Sequence, residues 1–188
     1  SFTPEKRAIL SRVLTDQYSS IRESKAKNSI KLLNSEETFT ITTGQQIHIF
    51  LGPMYVHNKI LSAIEHAQRL KEQFPENTFI PVFWMATEDH DMEEIDHINL
   101  FGQKVQWEHE HRGISGSCPT KGLVNLMEGL LQGRNGVNKD YQHLFKQAYE
   151  DYSTLADATR FLVDRIYGDK GVLVIDGNDK RFKELFEP

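Results

Sequence analysis

Two stretches constrain what this chain can fold into. Thr38 to Thr43, TFTITT, is rich in β-branched residues and reads as a strand. Phe79 to Met85, FIPVFWM, is a nearly continuous apolar run, as a strand covered on both faces requires. Between them Gly44 is expected to end the first strand, a loop passes through Gly52, and Pro53 offers a helix start. Val56, Ile60, Ile64, Ala67 and Leu70 then form one apolar stripe at helical spacing, ending near Phe74 before the breaking sequence PEN. A strand, a helix and a strand in so short a length make a βαβ unit. Its strands are expected to be parallel, with a right-handed crossover. The fold class is therefore α/β.

The remaining elements are read around that unit. Thr3 is a natural N-cap with Pro4 at the first helical position, and Ile9, Val13, Leu14, Tyr18 and Ile21 recur at helical spacing. Ser24 to Glu37 is polar, with room for a short second helix. Residues 1–37 thus read as an N-terminal helical segment and 38–188 as the main domain. INLFGQKVQWEHE suggests a small hairpin turning at Gly102 and Gln103, within an insertion spanning about 98–140. Leu123 to Leu131 and Tyr141 to Tyr167 read as helices, the second restarting at Thr154 as an N-cap. Gly171 closes it, and VLVID, Val172 to Asp176, returns as a buried strand. Asp179 to Phe186 begins a further helix that stops without a cap, the pattern expected of the front piece of a longer protein.

Composition excludes several classes. The chain has 188 residues, 38% apolar and 26% charged, which is ordinary for a globular protein. A net charge of −5 argues against general nucleic-acid binding, which needs a basic surface. No apolar run approaches a membrane span, and SFTPEKRAIL has no signal-peptide core, so a cytoplasmic location and no membrane partner are expected. The single cysteine, Cys118, lies in the turn-rich GISGSCPTKG and reads as an inert loop thiol.

Chemistry concentrates where loops leave strand ends, the usual place for ligands in parallel sheets. In TTGQQIHIFLGPMYVHNK, residues 42 to 59, Gly44 and Gly52 permit tight backbone paths. The helix starting at Pro53 presents free N–H groups, the physical basis of an anion site. Neither the dinucleotide fingerprint nor the P-loop is present. The second segment, ATEDHDMEEIDH, residues 86 to 97, carries Glu88, Asp89, Asp91, Glu93, Glu94 and Asp96 without a lysine or arginine. Mutual repulsion is expected to raise some of their pKa values unless a cation or proton is held there. If a helix opens at Asp91, Glu94 and His97 share one face and His90 sits at the cap. An amine- or hydroxyl-binding acidic pocket suits this pattern better than a metal site, for which no ligand triplet has the right spacing. His109 and His111 alternate onto one solvated face, and His66 and His143 are expected to face water. His48 and His57, in the first segment, have no assigned role.

TGQQ, then GPMYVHNK, then FIPVFWMATEDHDMEEIDH, followed by GVLVIDGNDKRFKELFEP, resembles the cysteine ligase family of bacillithiol biosynthesis, BshC. The resemblance implies a Rossmann-like parallel sheet flanked by helices, related to class I synthetases and nucleotidyltransferases. It also implies condensation of cysteine with glucosaminyl-malate. Carried onto this chain, Thr43, Gly44, Gln45 and Gln46 match the first motif. Gly52, Pro53, Tyr55 and Lys59 match the second, and Trp84, Glu88, Asp89, His90 and Asp91 the third. On that basis His90, Asp89, Asp91 and Lys59 are expected to be catalytic. The others are expected to bind substrate, with no metal. If the reaction uses adenylation, as the related synthetases do, ATP is the cosubstrate. The intact enzyme is expected to be longer and to form a homodimer through a helical region outside this chain, with the 188-residue piece alone inactive. Two rivals remain. One is a module that holds a nucleotide or sugar without chemistry; the other is a metal-dependent hydrolase using His90, Glu94 and His97.

Overall fold

A computed structural model describes residues 2–100, 102–132, 136 and 138–184. In chain order the elements begin with α1 (Pro4–Gln17), α2 (Lys27–Leu32), β1 (Thr38–Gln45), α3 (Met54–Gln73) and β2 (Thr78–Met85). There follow α4 (Met92–Ile95), β3 (His97–Leu100), β4 (Gln103–Gln106), α5 (Leu123–Leu131) and α6 (Lys139–Asp151). The last are α7 (Leu155–Tyr167), β5 (Leu173–Asp176) and α8 (Lys180–Lys183). They fall into two compact units: residues 1–45, 55–86 and 163–188 form the first, and 46–54 and 87–162 the second.

The first unit is built on a parallel sheet of order β1-β2-β5. The strand–helix–strand reading holds, because α3 connects parallel β1 and β2 and buries Val56, Ile60, Ile64 and Ala67 along one stripe. β1 runs further than expected. Gly44 does not end it but pairs with Trp84, and Gln45 pairs with Met85, since the neighbouring strand continues to supply hydrogen-bond partners. β2 buries Ile80, Val82, Phe83 and Met85, as its continuous apolar run required. α1 starts as read, with the Thr3 hydroxyl accepting from the Lys6 N–H.

Arg7 in α1 and Tyr18, the residue that caps its C-terminus, do structural work here. The buried Arg7 guanidinium donates to the carbonyls of Leu33, Thr38 and Glu36 at 3.2, 2.9 and 3.3 Å, tying α1 to the entry of β1. Tyr18, 2% exposed, offers its hydroxyl oxygen to the Val174 N–H at 2.7 Å, so a backbone donor of β5 does not go unsatisfied in the core. Such a bond contributes about 1 kcal/mol net, but leaving the buried donor without a partner costs about 1–3 kcal/mol. Asp179 caps α8 by accepting from the Arg181 N–H; residues 185 and 186, which the expected helix included, lie outside the described residues.

The second unit contains the expected hairpin, with β3 and β4 antiparallel and Ile98 opposite Val105, but Gln103 pairs with Leu100 as the first residue of β4 and so is not part of the turn as expected. α5 packs on α6. α6 and α7 are separate helices, divided where Thr154 caps α7: its hydroxyl accepts from the Asp157 N–H at 3.2 Å and donates to the Asp157 carboxylate at 2.8 Å. Cys118 is fully buried rather than in an open loop, its carbonyl accepting from the Leu155 N–H. Burial pushes its thiol up to about 11.

Candidate functional site

In the first unit the end of β1 meets α3. The Lys59 ammonium donates to the Gly44 carbonyl at 3.2 Å and to the Gln45 side-chain oxygen at 2.8 Å, and lies 5.8 Å from the centre of the Tyr55 ring. The Gln45 amide nitrogen in turn donates to the Tyr55 hydroxyl at 3.2 Å. Four of the motif residues, Gly44, Gln45, Tyr55 and Lys59, are thus brought together. Every partner this exposed cation has in the group is neutral, so its charge stays available to an anion. Thr43 is half-buried in β1 opposite Phe83.

Trp84 closes the same strand ends. A Cβ on Gly177, just past β5, would lie 2.3 Å from the Trp84 ring, so the indole needs a glycine there. Gly177 carries a sequence signal of its own, since GND directly after a buried strand marks a strand-end turn. His57 is placed in the same unit: its Nδ1 lies 2.6 Å from the Tyr167 hydroxyl, and burial lowers its pKa.

In the second unit the acidic segment is organised by Gln46. Its amide nitrogen donates to the carboxylates of Asp89 and Glu94, each at 2.7 Å, which uses both of its hydrogens. The other Asp89 oxygen accepts from the Asp91 backbone N–H at 2.9 Å. These bonds, the Asp91 N–H first and the Gln46 amide second, hold the Asp89 carboxyl below its ordinary value. The expected rise in pKa therefore does not occur at Asp89, because hydrogen bonds to the charged form prevail over the burial that opposes them. Among the described residues no lysine or arginine forms an ion pair with Asp89 or Glu94.

The helix expected from Asp91 is only α4, four residues long, with Asp91 rather than His90 at its N-cap. It ends at Ile95, so His97 lies in β3 and not on a helical face with Glu94. Glu94 and His97 nevertheless meet at a cavity of about 260 Å³, lined also by His48, Gly52, Pro53, Met54, Ile98 and Asn99. Glu88, His90 and Asp91 are exposed.

Local backbone chemistry shapes this cavity. Phe50, Leu51 and Gly52 have φ of 53°, 60° and 62° in succession. The two non-glycine residues are held in that unfavourable region by packing. The Phe50 N–H donates to the Tyr149 hydroxyl at 2.7 Å, and its ring meets those of Phe145 and Tyr149. His48 is buried between the buried Ile47 and Ile49; burial lowers its pKa, nearby His97 adds to that, and Glu94 opposes it. Asn99 and Met54 carried no sequence signal, whereas the apolar neighbours of His48 could have indicated its burial.

His109 departs from the solvated face expected of it. Its ring packs 4.9 Å from Trp107, and its Nε2 lies 3.8 Å from the buried Asp96 carboxylate, because β4 ends at Gln106 and the alternation stops with it. Among the described residues no group of three His, Cys, Asp or Glu is placed to hold a metal ion, so the trio His90, Glu94 and His97 of the hydrolase reading does not converge. No helix among them is long and apolar enough to cross a membrane.

Comparison with known proteins adds the ancestry. The family model described as "Bacillithiol biosynthesis BshC, N-terminal Rossmann-like domain" matches residues 1–188. A protein of Flavobacterium psychrophilum named "Putative cysteine ligase BshC" is 40% identical over 98% of this chain and 35% of its own length. Proteins of the same name from Flavobacterium johnsoniae and Christiangramia forsetii are also 40% identical, over 100% and 95% of this chain and 36% and 35% of theirs. The chain therefore spans about a third of the length of these relatives. The parallel α/β sheet, the two motif-bearing strand ends and these matches agree: the chain belongs to the BshC family and corresponds to its N-terminal Rossmann-like domain.

Proposed function

We propose that this chain is the N-terminal part of a ligase that joins cysteine to glucosaminyl-malate through a new carbon–nitrogen bond, with ATP as cosubstrate by way of an adenylate. The observation that carries this reading is the pair of carboxylates, Asp89 and Glu94, held on one Gln46 amide, with no lysine or arginine among the described residues in an ion pair with them. A carboxylate kept ionised by backbone and amide hydrogen bonds is suited to accept from an ammonium or a sugar hydroxyl. Asp89 takes that role in our reading. Glu88 and Asp91 extend the acidic surface, and the exposed His90 is positioned in sequence to orient a substrate or move a proton.

Lys59 supplies the opposite charge. Its neutral partners, Gly44 and Gln45, hold the ammonium in place without cancelling it, so it fits a phosphate or a developing oxyanion. ATP, when bound, supplies a leaving group that makes the cysteine carboxyl reactive toward an amine. Thr43, Tyr55 and Trp84 shape the ends of β1 and β2 and the start of α3 in the first unit. Gly52 and Pro53 do the same for the loop of the second.

The test is a mass-spectrometric ligation assay on the intact protein that carries this domain, given cysteine and glucosaminyl-malate with and without ATP. Product that requires ATP supports the reading in full. Product without ATP removes the adenylate and keeps the ligase. Nucleotide or sugar binding without product under any condition favours a binding module instead. The 188-residue chain alone is expected to give no product.

A further inference from the structure

The cavity beside the Gln46 clamp combines two kinds of group. Glu94 brings a carboxylate whose orientation is set by the Gln46 amide at 2.7 Å. His48, His97 and Asn99 bring hydrogen-bonding side chains, and Met54 and Ile98 bring apolar surface. His97 is itself oriented. Its Nδ1 lies 3.4 Å from the Asp96 carboxylate. The Asn99 amide can donate to a carboxylate, and Pro53 and Met54 line the same space.

At about 260 Å³ the cavity is smaller than the roughly 300–1,000 Å³ usual for drug-sized ligands, which suits a compact occupant. A cationic group is favoured at Glu94, an anionic group at the Asn99 amide, and a short, soft side chain against Met54 and Ile98.

We propose that this cavity is the binding site for a small zwitterionic amino acid, with Glu94 receiving the α-ammonium; under the ligase reading, on which the identity of the ligand rests, that amino acid is L-cysteine. Glu94 and His97 are then substrate-binding residues. His48 acts as a positioning residue whose ring forms the wall that Gly52 packs against, with a Gly52 Cβ falling 2.5 Å from the His48 Cβ.

The experiment is calorimetric titration of the intact protein with L-cysteine, and with 3-mercaptopropionate, which lacks the ammonium. Wild type, Glu94→Gln and Met54→Trp are compared, each checked for folding by circular dichroism. Wild type is expected to bind cysteine at least tenfold more tightly than 3-mercaptopropionate. Glu94→Gln is expected to lose at least tenfold for cysteine and less than twofold for the deaminated analogue. Met54→Trp, which alters an exposed side chain, is expected to weaken both by filling the space. Wild type that binds no cysteine, or variants that bind it within twofold of wild type, would overturn the assignment. The two readings fail separately. Ligation with an unchanged cysteine KM in Glu94→Gln would remove this cavity and leave the ligase; the expected binding pattern without product under any condition would keep the cavity and remove the ligase.

Discussion

Gly52→Ala is the substitution whose cost follows most directly from the geometry. Gly52 has φ 62° and ψ −159°, a region open essentially to glycine alone, and residues forced into sparsely populated regions cost about 1–3 kcal/mol each. Separately, a Cβ there would lie 2.5 Å from the His48 Cβ and 2.8 Å from its Cγ. Those atoms are the stem of a buried side chain, not a flexible tip, so the loop must shift at an overpacking cost of about 1–3 kcal/mol. The two effects together destabilise by about 2–6 kcal/mol. At about 2–4 °C per kcal/mol for a chain of this size, the second unit's melting midpoint falls by at least about 4 °C. Gly129→Ala supplies the control within the same unit. Gly129 lies inside α5 with nothing within 4 Å of an added Cβ, so alanine should stabilise by about 0.4–1 kcal/mol. Differential scanning calorimetry of the 188-residue chain reads both. A Gly52→Ala midpoint within about 1 °C of wild type would refute both the backbone and the packing argument.

Other consequences can be checked independently. Cys118, with its thiol pushed up to about 11, holds on the order of one part in a thousand as thiolate at pH 8, so a disulfide reagent should label it only after denaturation; rapid native labelling would contradict its burial. His48 and His57 both have pKa values lowered by burial, so the folded state favours their neutral forms. Their contribution is fully present above the unfolded value of about 6.5 and is lost as pH falls through the lower folded values. Melting midpoints taken from about pH 8 to about pH 5 should therefore fall less steeply in His48→Gln than in wild type; identical slopes would exclude His48 as a contributor. Gln46→Leu removes the clamp, and carbon-13 titration should then show the Asp89 carboxyl moving up toward its ordinary value of about 3.9. Because Asp89 is half-exposed and water replaces the lost amide, the stability cost should stay near 1 kcal/mol or less.

Much of the fold was legible because local and long-range signals coincide in it. The β-branched TFTITT, the Pro53 start and the stripe from Val56 to Ala67 each specify their own element, and the apolar FIPVFWM demands cover on both faces. What the sequence could not show depends on distant partners. Gly44 continues β1 because Trp84 stands beside it, a pairing 40 positions away. Arg7 is buried against carbonyls of residues 33, 36 and 38, contrary to any composition rule for arginine.

The candidate site divides along the same line. The motif residues lie at the strand ends as read, yet the depressed Asp89 carboxyl depends on Gln46, 43 positions earlier, and on the turn that aims the Asp91 N–H. The run of acidic residues suggested mutual repulsion and a helix carrying Glu94 and His97 together. α4 is too short for that, and the two residues reach one cavity through a helix and a strand. Asn99 sits in a hairpin where alternation reports only which face a residue takes, not what it meets.

The central claim is that the acidic cluster on Gln46 serves amide-bond formation. The measurement that tests it most directly is the ATP-dependent ligation rate of the intact protein, wild type beside Asp89→Asn, with matched melting midpoints to show that both are folded. Asparagine keeps the shape and removes the charge. The account predicts product from wild type and a loss of at least about a hundredfold in Asp89→Asn, as expected when a charged contact to the reacting substrate is removed. Equal rates in the two proteins would contradict it and take Asp89 out of the site.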